Sequence, residues 1–124
     1  KDSCLLNVSK AKNDISICHE IKTESFKDRC FQNIAILNLD LSICENISQG
    51  RVKSDCLIGI ALKKGDYSIC NGVRYEEKNF CIMQVAKLKL NHSICYTIQD
   101  EDYKNICIKG VANAKQEFIN QDKK

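Results

Sequence analysis

Nine cysteines carry most of the reactive chemistry that this 124-residue sequence offers. Thiols can bind metals, act as redox centres or nucleophiles, or pair as disulfides, and their spacing separates these uses. From Cys4 to Cys107 the successive cysteines lie alternately 14 and 12 residues apart, with one spacing of 11. No C-x-x-C motif occurs, so the spacing is not that of a zinc ribbon, a thioredoxin-like centre or an iron–sulfur cluster. The ladder predicts disulfides and no metal.

Two pairings of neighbouring cysteines fit this ladder. One leaves Cys4 unpaired or bonded to another chain, and it joins Cys18 to Cys30, Cys44 to Cys56, Cys70 to Cys81 and Cys95 to Cys107. The other joins cysteines 14 residues apart, beginning with Cys4 and Cys18, and leaves Cys107. Helix geometry favours the first pairing, because its two cysteines lie about one turn on either side of a loop and so at similar heights.

A repeated Asp-x-Ser pattern is the second chemical feature. Asp14, Asp40 and Asp66, with Asn91 in the fourth copy, each stand two residues before a serine. A carboxylate beside a hydroxyl could serve catalysis, but four copies in one register indicate helix N-caps, which accept backbone N–H bonds. His19 and His92 do not recur and are expected to be exposed. Without a non-repeating polar cluster, the sequence predicts no catalytic residue, no cofactor and no enzyme.

The elements that must position these residues are units of about 26 residues, of which the chain holds about four and a half. We place them near residues 4–29, 30–55, 56–80 and 81–106, with a half unit at 107–124. Each unit has a longer helix whose apolar stripe lies at positions 0, +1, +4 and +5 from its cysteine. A shorter helix of about eight residues follows, in which the cysteine shares a face with an aliphatic residue three positions on. These aliphatic residues are Ile21, Ile47, Val73 and Ile98.

Other positions of the longer helix carry weaker expectations. An apolar residue is expected one turn before the cysteine, at Phe26, Val52, Tyr103 and, after a one-residue deletion, Tyr75. Charged neighbours such as Asp28 and Arg29 are expected to form a solvated surface. Of the residues that end the longer helices, only Gly65 is a favourable left-handed terminator.

Together these patterns predict an all-α fold, a right-handed αα-hairpin solenoid of about nine helices forming one domain, residues 1–124. Such short helices are marginal alone. A disulfide that closes a loop of this length contributes about 3 kcal/mol in the chain-entropy model. No alternating pattern argues for strands.

Composition and charge limit the partners and the cellular compartment that the sequence is compatible with. The net charge is +3, from 19 basic and 16 acidic side chains that are well mixed, which does not indicate nucleic-acid binding. No apolar run approaches the roughly 18 residues that cross a membrane. Disulfides form in oxidising compartments, so we expect an extracellular or cell-surface protein whose leader has been removed.

The repeat also carries a resemblance, on Asp14, Ser16, Cys18 and Ile21 of the shorter helix and on Cys30, Ile34 and Ala35 of the longer one. With their equivalents along the chain, these residues resemble cysteine-rich D-x-S-x-C-x-x-I helical repeats of predicted secreted or membrane-anchored archaeal proteins. The resemblance implies an exported helical array and no particular activity. The chain is also similar in plan to Sel1-like disulfide-linked repeats.

Two further patterns could bind something at the surface. One column, eight residues after each long-helix cysteine, is mostly lysine: Lys12, Asn38, Lys64, Lys89 and Lys115. A row of ammonium groups could bind an anion, although lysine in the last turn also complements the helix dipole. Glycosylation sequons begin at Asn7, Asn46 and Asn91.

The two ends of the array decide the functional expectation. The first helix keeps Leu5, Leu6 and Val8, and the last keeps Ile106, Ile108, Val111, Phe118 and Ile119. Solenoids that stay monomeric usually carry polar end repeats. We therefore expect a structural protein that assembles with itself, in the extreme into a filament. The alternative is a surface binding or adhesion module that presents one face to a protein or glycan.

Overall fold

Nine helical segments follow one another along residues 1–122, the part of the chain that this computed structural model describes. The long helices are α1 (Asp2–Lys12), α3 (Glu24–Asn38), α5 (Gly50–Lys64), α6 (Tyr75–Lys89) and α7 (Glu101–Asp122). The short helices are α2 (Ile15–Cys18), α4 (Leu41–Cys44) and two 3₁₀ helices, Tyr67–Gly72 and His92–Thr97. Within residues 1–122 there is no strand. The predicted all-α class is confirmed.

Long and short helices alternate along the sequence, and helices that are neighbours in the sequence also pack against each other. Each long helix contacts the next long helix and the short helices that precede and follow it. The long helices approach closely at Gly59, where a Cβ atom would lie 2.6 Å from Cδ1 of Ile36 on the preceding long helix. A small residue at this crossing therefore lets α3 and α5 pack without displacing Ile36.

The short helices are shorter than the sequence suggested. They contain four residues as α-helix or six as 3₁₀ helix, instead of about eight. The α-helices end at the cysteine and the 3₁₀ helices end two residues after it, so in every unit the aliphatic residue three positions after the cysteine follows the end of the helix and turns into the core. The predicted burial of these residues is confirmed for Ile21, Ile47, Val73 and Ile98.

Every long helix that is followed by a short one ends on a left-handed residue, which the sequence analysis expected only of Gly65. Asn13, Leu39 and Leu90 have φ of 52°, 54° and 52°, close to the 64° of Gly65. Leucine in this region costs about 1–2 kcal/mol. The N–H groups of Leu39 and Leu90 donate to carbonyls of the helix end, and the next residue donates to the alanine at +5. These bonds offset the strain and make the turn independent of glycine.

The expectation for Tyr75 was wrong. Tyr75 is the first residue of α6 and is 90 % exposed, whereas Glu77 occupies the position one turn before Cys81. The one-residue deletion falls in the loop between Cys70 and the helix, so the register of α6 is unchanged. Phe26 and Val52 pack against the core as expected, and Tyr103 is partly exposed.

Candidate functional site

Four disulfides join each short helix to the next long helix. They are Cys18–Cys30, Cys44–Cys56, Cys70–Cys81 and Cys95–Cys107, with Cα–Cα distances of 5.5 to 5.9 Å. This is the pairing that helix heights favoured. All eight bonded cysteines are fully buried. The four bonds indicate an oxidising environment.

Cys4 is the free cysteine, and it is exposed. It lies in α1 at the register that Cys30, Cys56, Cys81 and Cys107 occupy in the other long helices. Those four are each bonded to a short helix on the side from which the chain arrives. Cys4 therefore presents to solvent the face that is covered in every later unit.

The four Asx residues act as helix caps. The Oδ1 atoms of Asp14, Asp40 and Asp66 accept the backbone N–H of the serine two residues on at 3.0 Å and its hydroxyl at 2.6 Å. Asn91 makes the same two bonds at 3.1 and 2.5 Å. Hydrogen bonds from the serine side chain and backbone lower the pKa of all three aspartates. These hydrogen bonds are those of helix N-caps.

These caps make a pH-dependent contribution that a triple variant can isolate. In Asp14→Asn/Asp40→Asn/Asp66→Asn every cap becomes like Asn91, so we expect a folded protein. A lowered folded-state pKa means stability that is present above the unfolded value, about 4, and lost as pH falls through the folded value. Thermal melts should show the wild type more stable than the variant at about pH 7.

The two melting curves should converge as the pH falls through the lowered folded-state pKa of the three aspartates, because their carboxyls are then protonated. Asp55→Asn, an exposed carboxylate of α5 outside the caps, is the control for loss of charge. A difference between wild type and triple variant that does not change down to the lowest pH would contradict the assignment.

A second set of polar side chains links successive long helices, and the sequence alone did not predict it. Asp28 was expected in a solvated surface, but it is 1 % exposed. Its Oδ1 accepts the N–H of Ser48 at 3.1 Å and its Oδ2 accepts the N–H of Gln49 at 3.3 Å. The hydroxyl of Ser48 also lies 3.1 Å from Oδ2. Asp28 of α3 therefore binds the chain at the start of α5, one unit on.

Asp2 and Ser54 occupy the same register, two residues before a long-helix cysteine. Like Asp28, each accepts a backbone N–H group just before the next long helix. Asp2 accepts the N–H of Thr23 at 2.9 Å, and Ser54 accepts the N–H of Arg74 at 3.0 Å. We call these three residues the inter-unit clamp. The signal was visible as a small polar residue at one position of every unit, with Asn79 and Asn105 completing the column. At the last junction Asp100 caps α7 itself.

The predicted lysine column lies beside these caps. Lys12 lowers the pKa of Asp14, and Lys64 and Lys89 lower that of Asp66, after the larger effect of the serines. Asn38 instead forms a reciprocal amide pair with Asn13, at 2.9 and 2.8 Å. The column therefore complements the charge of the caps at Asp14 and Asp66, and not that of Asp40, where Asn38 replaces the lysine.

The three sequons differ in their surroundings. Asn7 is exposed on α1, while Ser9 of the same sequon is buried. Asn46 is exposed directly after α4. Asn91 is exposed, and its Oδ1 is engaged as a cap.

The histidines are exposed and separate. His19 packs edge-on against Phe31, with ring centroids 5.2 Å apart, and His92 lies against Tyr96 in the same way at 6.4 Å. In residues 1–122 no group of three or more His, Cys, Asp and Glu side chains is placed to hold a metal ion.

Two shallow depressions on the surface could receive a partner. One, of about 550 Å³, lies between α5 and α6, and it is lined by Leu62, Lys63, Gln84, Lys87 and Leu88. The other, of about 360 Å³, lies between the 3₁₀ helix His92–Thr97 and α7. We call it the C-terminal slot, and it is lined by His92, Tyr96, Ile108, Val111, Ala112 and Lys115.

The two ends of the helix pack leave open positions that internal units cover. Cys4 is exposed in the first long helix, whereas its four equivalents are buried. Ala112 is exposed in the last one, whereas its equivalents Ala35, Ala61 and Ala86 are fully buried. Ile106, Phe118 and Ile119 of α7 are each about half exposed.

Comparisons with protein-family models, with curated proteins and with solved structures found no match. Among the helices of residues 1–122, none combines the length and the apolar character that crossing a membrane requires.

Proposed function

We propose that this protein is an extracellular or cell-surface structural protein, a disulfide-stapled αα-solenoid of four and a half units that associates with copies of itself. The contacts between each long helix and its successor support the solenoid arrangement. The four buried disulfides support an oxidising compartment. The resemblance to repeats of exported archaeal proteins points the same way.

The observation that carries self-association is the exposure of repeat-contact positions at both ends. Cys4 and Ala112 are exposed, although they occupy registers that are buried in every internal unit, so contact with a second copy would cover positions that the internal units cover themselves. A contact between the end of one copy and the start of the next is head-to-tail, and it grows into a filament unless rotation closes a ring. Because Cys4 is the free cysteine, a disulfide between chains joins Cys4 to Cys4, head to head, with the two thiols oxidised in the oxidising compartment, and it lies outside the head-to-tail contact.

Self-association is tested most directly with variants at the two ends. We expect the wild type to show higher-order species by light scattering as its concentration rises, and disulfide-linked dimers on non-reducing gels. Cys4→Ser should abolish the covalent species and keep the non-covalent ones. Ala112→Glu places a charge in an apolar contact and should weaken non-covalent association about tenfold or more.

Ser25→Glu is the matched control, because it adds the same charge at an exposed site in the first turn of α3, away from both ends. It should associate like the wild type. Negative-stain microscopy of concentrated protein distinguishes filaments from closed rings. A wild type that remains a monomer at about millimolar concentration would contradict the proposal.

The alternative function is a binding module, and the depression between α5 and α6 favours it. Two leucines, Leu62 and Leu88, are flanked there by Lys63 and Lys87. An amphipathic segment with apolar and acidic side chains fits this chemistry better than a glycan does, because the lining holds only one amide and no aromatic ring. A strictly monomeric protein would make this the leading function.

A further inference from the structure

The junction between α6 and α7 lacks the clamp contact that the three earlier junctions have. In those junctions the clamp residue accepts a backbone N–H of the loop before the next long helix, as Ser54 does from Arg74. Asn79 holds the same register in α6, but within the part of the chain that the structure describes its amide makes no hydrogen bond to the loop before α7. The carboxylate of Asp100 in that loop caps α7 itself. The polar groups of this junction are therefore left for another partner.

A small cleft of about 140 Å³ lies at this junction, between α6 and the loop before α7. We call it the α6–α7 cleft. Its polar lining consists of Tyr75, Lys78, Asn79, Thr97, Gln99 and Asp100. Sites for drug-sized ligands occupy about 300–1,000 Å³, so this cleft has room for one small ring at the surface.

The ring of Tyr75 stands at the cleft with both faces in water. Tyr75 is 90 % exposed, more than any other large hydrophobic side chain among residues 1–122. It is the first residue of α6, so its backbone is fixed by the helix while its ring stays outside the core. Such a ring offers an apolar face on which the C–H face of a sugar can stack, and a hydroxyl that remains solvated.

The polar groups beside the ring suit a neutral, hydroxylated ligand. Asn79 and Gln99 each carry an amide that donates and accepts hydrogen bonds, as a sugar hydroxyl also does. Lys78 and Asp100 carry opposite charges, so the lining has no net charge and favours neither an anion nor a cation. The depression between α5 and α6 has one amide and no aromatic ring, and it lacks this combination.

We propose that the α6–α7 cleft binds one neutral sugar residue of a glycan. The ring of Tyr75 stacks on the sugar, and the amides of Asn79 and Gln99 bond to its hydroxyls. All of these groups belong to one molecule, so this inference goes beyond self-association and does not depend on it.

The test is a titration of four methyl glycosides, those of glucose, mannose, galactose and N-acetylglucosamine, into ¹⁵N-labelled Cys4→Ser protein. The protein is kept at a concentration where light scattering shows a monomer. We expect at least one glycoside to shift the amides of residues 75–82 and 97–100, with a Kd of about 1–10 mM because a single ring makes few contacts. Inorganic phosphate, the probe for an anion site, should leave these amides unchanged.

Variants make the result specific. Tyr75→Ala should weaken binding of the glycoside about tenfold or more, because the stacking surface is lost. Asn79→Ala should weaken it by about threefold to tenfold through loss of hydrogen bonds. Tyr67→Ala is the matched control, because it removes an exposed tyrosine of the preceding 3₁₀ helix that does not line the cleft, and it should bind like the parent protein.

Three results would overturn the proposal: no shift with any of the four glycosides, a shift with phosphate and none with a glycoside, or equal binding by the Tyr75→Ala and Tyr67→Ala proteins. Because the protein is monomeric throughout, these outcomes are separate from those for self-association.

Discussion

Reduction of all four disulfides is expected to unfold the chain at about 25 °C. Each bond closes a loop of 11 or 12 residues, and a loop of this size contributes about 3 kcal/mol in the chain-entropy model. Four such contributions come to about 12 kcal/mol, against a total stability of about 5–15 kcal/mol for an ordinary domain. Far-UV circular dichroism with and without reductant, together with titration of the thiols, checks the prediction.

Removing one disulfide at a time measures how much that bond contributes to the stability of the fold. Cys44→Ala/Cys56→Ala removes one internal disulfide and should cost about 3 kcal/mol, which lowers Tm by about 10 °C. Cys4→Ser changes an exposed, unbonded thiol and should leave Tm within about 1 °C. If the reduced chain titrates nine thiols and keeps its helical spectrum and cooperative melt, the core of these units holds without sulfur.

The features that could be predicted from the sequence depend on spacing along one unit. Asp14, Ser16 and Cys18 lie within five residues, and the cap that they form needs no information from elsewhere in the fold. The disulfide between Cys18 and Cys30 spans one loop, so the heights of its cysteines follow from two adjacent helices. Because the unit repeats, the same local pattern supports each of these predictions four times.

Contacts between units were harder to predict, because their partners lie about 20 residues apart. Asp28 follows Lys27 and precedes Arg29, and in sequence these three residues look like an ordinary charged face. The carboxylate is buried only because the loop at Ser48 and Gln49 crosses over it. The prediction that Tyr75 lies one turn before Cys81 was wrong for a related reason, since a deletion in a loop cannot be placed from the sequence of one chain.

The left-handed conformation of Leu39 and Leu90 could not be predicted from the sequence, for a different reason. Propensity assigns φ above zero to glycine or asparagine, and Leu39 and Leu90 have the wrong side chain for that conformation. What selects it is the fixed return of the chain, with Asp40 and Asn91 bonded to the carbonyls of Ala35 and Ala86. Tertiary geometry repeated at every turn overrides the preference of the single residue.

Loss of the Asp28 carboxylate should cost more than loss of either other residue of the inter-unit clamp, Asp2 or Ser54. Asp28→Ala removes hydrogen bonds from two backbone N–H groups and one hydroxyl, all directed at one buried carboxylate. Hydrogen bonds to charged groups contribute about 1.5–3 kcal/mol. Ser48 and Gln49 are exposed and can regain bonds to water, so we expect a net loss of about 2–3 kcal/mol, measured by urea unfolding with the disulfides intact.

Neighbouring substitutions separate this contact from general effects of charge. Arg29→Ala changes an exposed residue beside Asp28 and should alter the free energy of unfolding by less than about 0.5 kcal/mol. Ser54→Ala removes one neutral bond at the next junction and should cost about 1 kcal/mol. A loss for Asp28→Ala no larger than that for Arg29→Ala would mean that the disulfides alone hold successive units in register. A loss of the expected size would mean that the junction between α3 and α5 is held twice, by the Cys44–Cys56 disulfide on the side of the short helix and by Asp28 at the start of α5.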